Sequence, residues 1–127
     1  MIKGIDISVY HLKKLRKAEL NLWLSVELSE QKKIPCLKVG CYYYTLVKNV
    51  AEAKGETDVF LNCIKGKQFE YPIYFDIEDP SLQNFGKQTL TDIVLTWCEK
   101  VQSVGYYVGI YANPDWFLNR LDLEKLK

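Results

Sequence analysis

The sequence predicts an α/β fold built on a mostly parallel sheet, and three observations carry that expectation. Short apolar runs alternate with stretches whose apolar residues recur every three to four positions, the order of strand and crossover helix. The short runs are apolar on both faces, as strands of a parallel sheet covered by helices must be. Acids, hydroxyls and tyrosines end these runs, namely Asp6, Ser8, Tyr44, Asp76, Glu78 and Tyr111. In such folds the functional residues collect at the C-terminal ends of strands.

Taken in order, Ile2 to Ser8 alternates like a strand, with Asp6 and Ser8 on one face. From His11 to about Lys33, Leu12, Leu15, Ala18, Leu22 and Val26 keep helical spacing, and Pro35 ends that helix. Cys36 to Thr45 reads as the second strand and closes on three consecutive tyrosines. Val50, Ala53, Thr57, Phe60, Leu61 and Ile64 mark the second helix, ending near Gly66. The third strand starts at Tyr71 and gives way to a loop from Pro80 to Gly86. Thr89 is the expected N-cap of the next helix, with Asp92 in its first turn. Its stripe is Leu90, Ile93, Val94, Trp97, Val101 and Val104, and Gly105 stops it. Tyr106 to Ala112 is the fourth strand, and Asn113-Pro114 is the cap and first position of a short helix.

Composition narrows the function classes. The 127 residues form one domain, 1–127, with 48% apolar residues and 26% charged ones. A net charge of +1 without a basic cluster interleaved with aromatics argues against a nucleic-acid partner. No apolar run approaches the roughly 18 residues that cross a membrane, so no membrane partner is expected. No signal peptide is visible either, which points to synthesis in the cytoplasm. Cys36, Cys41, Cys63 and Cys98 share no C-x-x-C spacing and have only His11 beside them as a metal ligand type. They read as buried free thiols, and neither a metal nor a cofactor is expected.

The chemistry concentrates in Tyr71-Pro72-Ile73-Tyr74-Phe75-Asp76-Ile77-Glu78-Asp79-Pro80. Side chains alternate along a strand, so Asp76 and Glu78 share one face while Ile77 and Asp79 share the other. Two residues of strand rise set the paired carboxyls roughly 6–7 Å apart, a range in which two acids flank a glycosidic bond. Tyr42 to Tyr44, Tyr74, Tyr111 and Trp116 are candidate platforms on which a sugar ring stacks.

Lys3-Gly4-Ile5-Asp6-Ile7-Ser8, the runs Val39 to Tyr44 and Tyr71 to Pro80, and Gly105 to Asn113 with Trp116 together resemble glycoside hydrolase family 25. The resemblance covers the first eight residues and about Lys33 to Leu121. It implies an irregular TIM-like (β/α) barrel that cleaves the β-1,4 bond between N-acetylmuramic acid and N-acetylglucosamine, as N-acetylmuramidases (lysozymes) of phages and bacteria do. By the same resemblance Glu78 is the proton donor, Asp76 steadies the substrate's acetamido group or the charged intermediate, and Asp6 is the acid near the N-terminus. Tyr44, Tyr74, Tyr111 and Trp116 would bind substrate, and the partner would be the glycan strands of peptidoglycan.

The sequence also departs from the family. Val9 to about Lys32 lacks its longer stretch with a further strand, and the chain ends before the later strands with their aspartate and Gln-containing motif. About half of the family's barrel is therefore expected, as a truncated or rearranged member. The alternative to an enzyme is a remnant that at most binds cell-wall glycan. An open sheet leaves unpaired edges, so either a homodimer or the helix from Leu12 to Lys33 is expected to cover one.

Overall fold

The computed structural model describes residues 40–127. The strand and helix expected before residue 34, with Asp6, lie outside the described residues. From residue 40 onward the chain keeps the predicted α/β alternation. Three strands, β1 (Cys41–Tyr44), β2 (Ile73–Asp76) and β3 (Val108–Tyr111), lie parallel in the order β1-β2-β3. Helices α1 (Val50–Ile64) and α2 (Lys87–Ser103) are the crossovers. Among the described residues no helix is long and apolar enough to cross a membrane.

Each helix begins and ends for a local reason. Asn49 caps α1 by accepting the Glu52 N–H at 2.8 Å, and the Glu52 carboxylate reaches back to the Lys48 N–H at 2.8 Å. The face it buries is Ala53, Thr57, Phe60 and Ile64 of the expected stripe together with Glu56, while Val50 and Leu61 at its margins are half-buried. Helix α2 starts earlier than its sequence suggests. Gly86 is the N-cap and makes no side-chain capping bond, so Thr89 lies inside the first turn and is not the cap. Leu90, Thr91, Ile93, Val94, Trp97 and Val101 are its buried side, whereas Val104, expected in that stripe, is the C-cap and 57% exposed because the chain is already turning away from the sheet there. The chain leaves α2 through Gly105 at φ +94°, a left-handed turn that a side chain would strain.

Both helices pack on the same face of the sheet. Register pairs Tyr43 with Phe75 and Phe75 with Ile110, and their rings and side chains point toward the helices. Trp97 of α2 stacks on Phe75 with centroids 4.7 Å apart, and Phe60 of α1 meets Tyr43 at 5.1 Å and Trp97 at 5.5 Å. Side chains alternate along a strand, so the opposite face carries Tyr42 and Tyr44 on β1, Tyr74 and Asp76 on β2, and Gly109 and Tyr111 on β3. The core thus fixes three short strands against two helices. The polar and aromatic residues of interest fall on the other face.

Candidate active site

Strand β2 stops at Asp76, two residues before the second acid of the motif. The ladder fades there through Thr45 N–H to the Asp76 carbonyl at 3.0 Å and Ile77 N–H to the Tyr111 carbonyl at 3.2 Å. Beyond it the carboxylates hold the chain. Asp76 Oδ1 accepts the Glu78 N–H at 3.3 Å, closing a turn typical of aspartate. Glu78 Oε2 accepts the Asn113 N–H from the end of β3 at 2.8 Å. Asp79 Oδ1 accepts the Ser81 N–H at 2.9 Å and caps the single 3₁₀ turn Pro80–Leu82. Three acids in four residues each secure one backbone N–H.

This overturns one expectation. Strand alternation places Asp79 on the face away from Asp76 and Glu78, but alternation holds only while the strand lasts. The Tyr44 hydroxyl donates to Asp79 Oδ2, and Tyr44 is the register partner of Asp76 on the open face. Asp79 therefore turns back toward the pair. Burial raises the pKa of the Tyr44 phenol first, then its bond to Asp79, and then the charges of Asp79, Asp76 and Glu78. Asp79 alone takes the hydrogen bond of this hydroxyl, which stays a proton-bearing donor.

The acids differ in their access to solvent. Asp76 is 1% exposed and Asp79 9%, whereas Glu78 is half-buried. Beside them Tyr74 and Tyr111 are 40% and 55% exposed, so both present ring surface on the open face. The Tyr74 ring lies over Gly109, where an added Cβ would sit 2.6 Å from its Cε1 atom. Glycine is required there because the ring already fills the space of a side chain. Gly109→Ala is therefore expected to push Tyr74 off β3 and lower stability by about 1–3 kcal/mol. A denaturant midpoint unchanged from the native chain would show that the ring relocates without strain.

Trp116 does not belong with these rings. It is 1% exposed and part of the apolar core, on a π turn, Trp116–Arg120, in which the Leu121 N–H reaches back to its carbonyl at 2.9 Å. The Arg120 guanidinium lies 5.5 Å above its ring and is held by Asp115 at 2.9 Å and the Gln83 carbonyl at 2.8 Å. An indole enclosed in this way offers no face to a sugar. Its position after the Asn113-Pro114 cap gives no sign of which side of the turn it takes. Asn113 performs the expected capping, with Oδ1 accepting the Asp115 N–H at 3.1 Å. Its backbone contact to Glu78 is not foreseeable in the sequence, because side-chain patterns say nothing about where an amide N–H points.

Comparison with known proteins bears on the same stretch. The model of glycosyl hydrolases family 25 matches residues 27–127. The D-alanyl-L-alanine endopeptidase of Streptococcus phage B30 is 27% identical over 113 residues, 88% of this chain. The chain spans about a quarter of that relative's length, 25%. Among solved structures, the modular autolysin LytC of Streptococcus pneumoniae in complex with a synthetic peptidoglycan ligand superposes with a TM-score of 0.65 at 22% identity. A second structure of LytC gives the same TM-score and identity, and each match covers 76% of this chain and 24% of LytC. These two matches show a shared fold.

Proposed function

The chain belongs to glycosyl hydrolases family 25, and from that premise we propose that it is a peptidoglycan hydrolase that cleaves the β-1,4 bond between N-acetylmuramic acid and N-acetylglucosamine. The observation that carries the reading is the half-buried Glu78 two residues beyond β2, its N–H on the buried Asp76, with the exposed rings of Tyr74 and Tyr111 on the adjoining open face.

Glycoside hydrolysis needs a proton for a poor leaving group and a counter-charge for an oxocarbenium-like centre. Glu78 supplies the proton. Its Oε2 is occupied by the Asn113 N–H, so the proton rides on Oε1 and passes to the glycosidic oxygen as the C1–O bond breaks. The substrate's own 2-acetamido oxygen then closes on C1, and water later opens that intermediate and returns a proton to Glu78. Asp76 steadies the acetamido group as it takes up positive charge. Its burial makes that interaction stronger than it would be in water. Tyr74 and Tyr111 stack on sugar rings along the open face.

The name of the phage relative suggests a rival, cleavage of a peptide bond. A thiol peptidase needs a thiolate. Burial pushes the Cys41 and Cys98 thiols up to about 12, and the Cys63 thiol is raised as well. Among the described residues these three cysteines behave as small apolar residues. The products decide between the two. Digestion of purified peptidoglycan should release new reducing sugar ends and no new amino groups, and the reverse pattern would transfer the proposal to peptide hydrolysis.

A further inference from the structure

We propose that the hydrogen bond from Tyr44 to Asp79 is a positioning tie that fastens the turn carrying Glu78 to strand β1. The inference rests on the reading of Glu78 as proton donor and adds a residue to that site.

The turn after β2 is held on two sides. Toward β3, the Ile77 N–H bonds the Tyr111 carbonyl at 3.2 Å and Glu78 takes the Asn113 N–H at 2.8 Å. Toward β1, the Tyr44 hydroxyl reaches Asp79, 35 residues on in the chain. Glu78 sits between these anchors, one residue from each of Ile77 and Asp79. A half-buried glutamate on a turn of this kind has freedom to swing unless both flanks are fixed.

The partners suit the task. A phenol is long and rigid, and its register position opposite Asp76 carries its hydroxyl past the end of β2. Its acceptor is a carboxylate that is 9% exposed, and bonds to charged acceptors in such surroundings are the strong ones. Burial, the bond to Asp79 and the charge of the nearby carboxylates raise the phenol's pKa, which keeps it the donor of this bond. The other Asp79 oxygen caps the Pro80–Leu82 turn, which couples the tie to the local backbone. The Tyr44 hydroxyl donates its hydrogen bond to Asp79 and acts on Glu78 through the turn. It is a positioning residue and not a catalytic one.

The test compares initial rates of reducing-end release over a range of peptidoglycan concentrations for the native chain, Tyr44→Phe, Asp79→Ala, their double variant, Asp79→Asn and Glu78→Gln, with thermal melts of each. Misplacing a catalytic group by a fraction of its length typically costs up to about 10²-fold in rate. Tyr44→Phe should therefore lower kcat roughly 10- to 100-fold with KM changed by no more than about 2-fold. The double variant should be no slower than Asp79→Ala, because Asp79→Ala has already broken the one bond that Tyr44→Phe removes. Asp79→Asn should recover most of the loss of Asp79→Ala, since its amide keeps the Ser81 contact and can donate to the phenol oxygen instead. If Tyr44→Phe does not fold, the recovery of Asp79→Ala by Asp79→Asn carries the comparison alone. With Glu78→Gln inactive, a native kcat in Tyr44→Phe, multiplying effects in the double variant, or no recovery by Asp79→Asn overturns the tie. Activity in Glu78→Gln, or none in the native chain, overturns the glycosidase reading and this inference with it.

Discussion

Glu78→Gln should reduce release of reducing ends by about 10²–10⁴-fold, the usual loss on removing a positioned general acid. Glutamine has the shape of glutamate, and its amide oxygen can still accept the Asn113 N–H as Oε2 does. The turn therefore keeps its attachment to β3, and what disappears is the transferable proton. Melting temperature and retention on insoluble peptidoglycan should both stay close to native, because Asp76, Asp79, Tyr74 and Tyr111 are untouched. A loss confined to kcat separates a proton donor from a residue that merely shapes the groove. The neighbouring Asp79→Asn is a useful contrast, since both Asp79 oxygens are engaged, by Tyr44 and by Ser81. Equal lysis by Glu78→Gln and the native chain would move the proton donor elsewhere.

The fold is legible in the sequence wherever burial alone determines it. The stripes of α1 and α2 are set by apolar residues that have nowhere else to go, and Trp97, Phe60 and Leu90 are buried as their spacing predicts. The parallel sheet follows from the alternation of strands and helices, although only the Phe75 face is apolar and covered by helices, while the other face carries Tyr44, Tyr74, Asp76 and Tyr111. Legibility falls at element ends, where one hydrogen bond decides the outcome. Thr89 has the chemistry of a cap, yet Gly86 holds the position because its extended backbone lets the Gly86 carbonyl accept the Leu90 N–H at 3.1 Å. Asp79 falls on the wrong face when alternation is carried beyond Asp76, the last ladder position of β2. Pro80 already announces that the strand has ended, and a capping aspartate directly before a proline is the signal available. Trp116 shows the limit of composition. An aromatic near a strand end serves a core or a ligand equally well, and only the packing beneath Arg120 separates the two.

The largest expected loss of stability comes from Trp97→Ala. The indole is fully enclosed and touches rings from every layer of the domain: Tyr43 of β1 at 6.3 Å, Phe75 of β2 at 4.7 Å and Phe60 of α1 at 5.5 Å. Through these ring contacts one side chain joins both helices to two strands. Truncating a buried tryptophan to alanine costs about 3–5 kcal/mol, while a whole domain is stable by only about 5–15 kcal/mol. The melting temperature should drop by roughly 10–20 °C. Trp97→Phe should be much milder, at about 0.5–3 kcal/mol, because a ring still packs on Phe75. It also removes an indole N–H that finds no acceptor among the described residues. Tyr43 and Phe75 immediately precede Tyr44 and Asp76 on their strands, so their loosening reaches the open face directly. Trp97→Ala should therefore lose lytic activity at temperatures well below its own melting midpoint, whereas Trp97→Phe should keep it up to its midpoint. A melting temperature within a few degrees of native in Trp97→Ala would mean that the two helices hold the sheet without this stack.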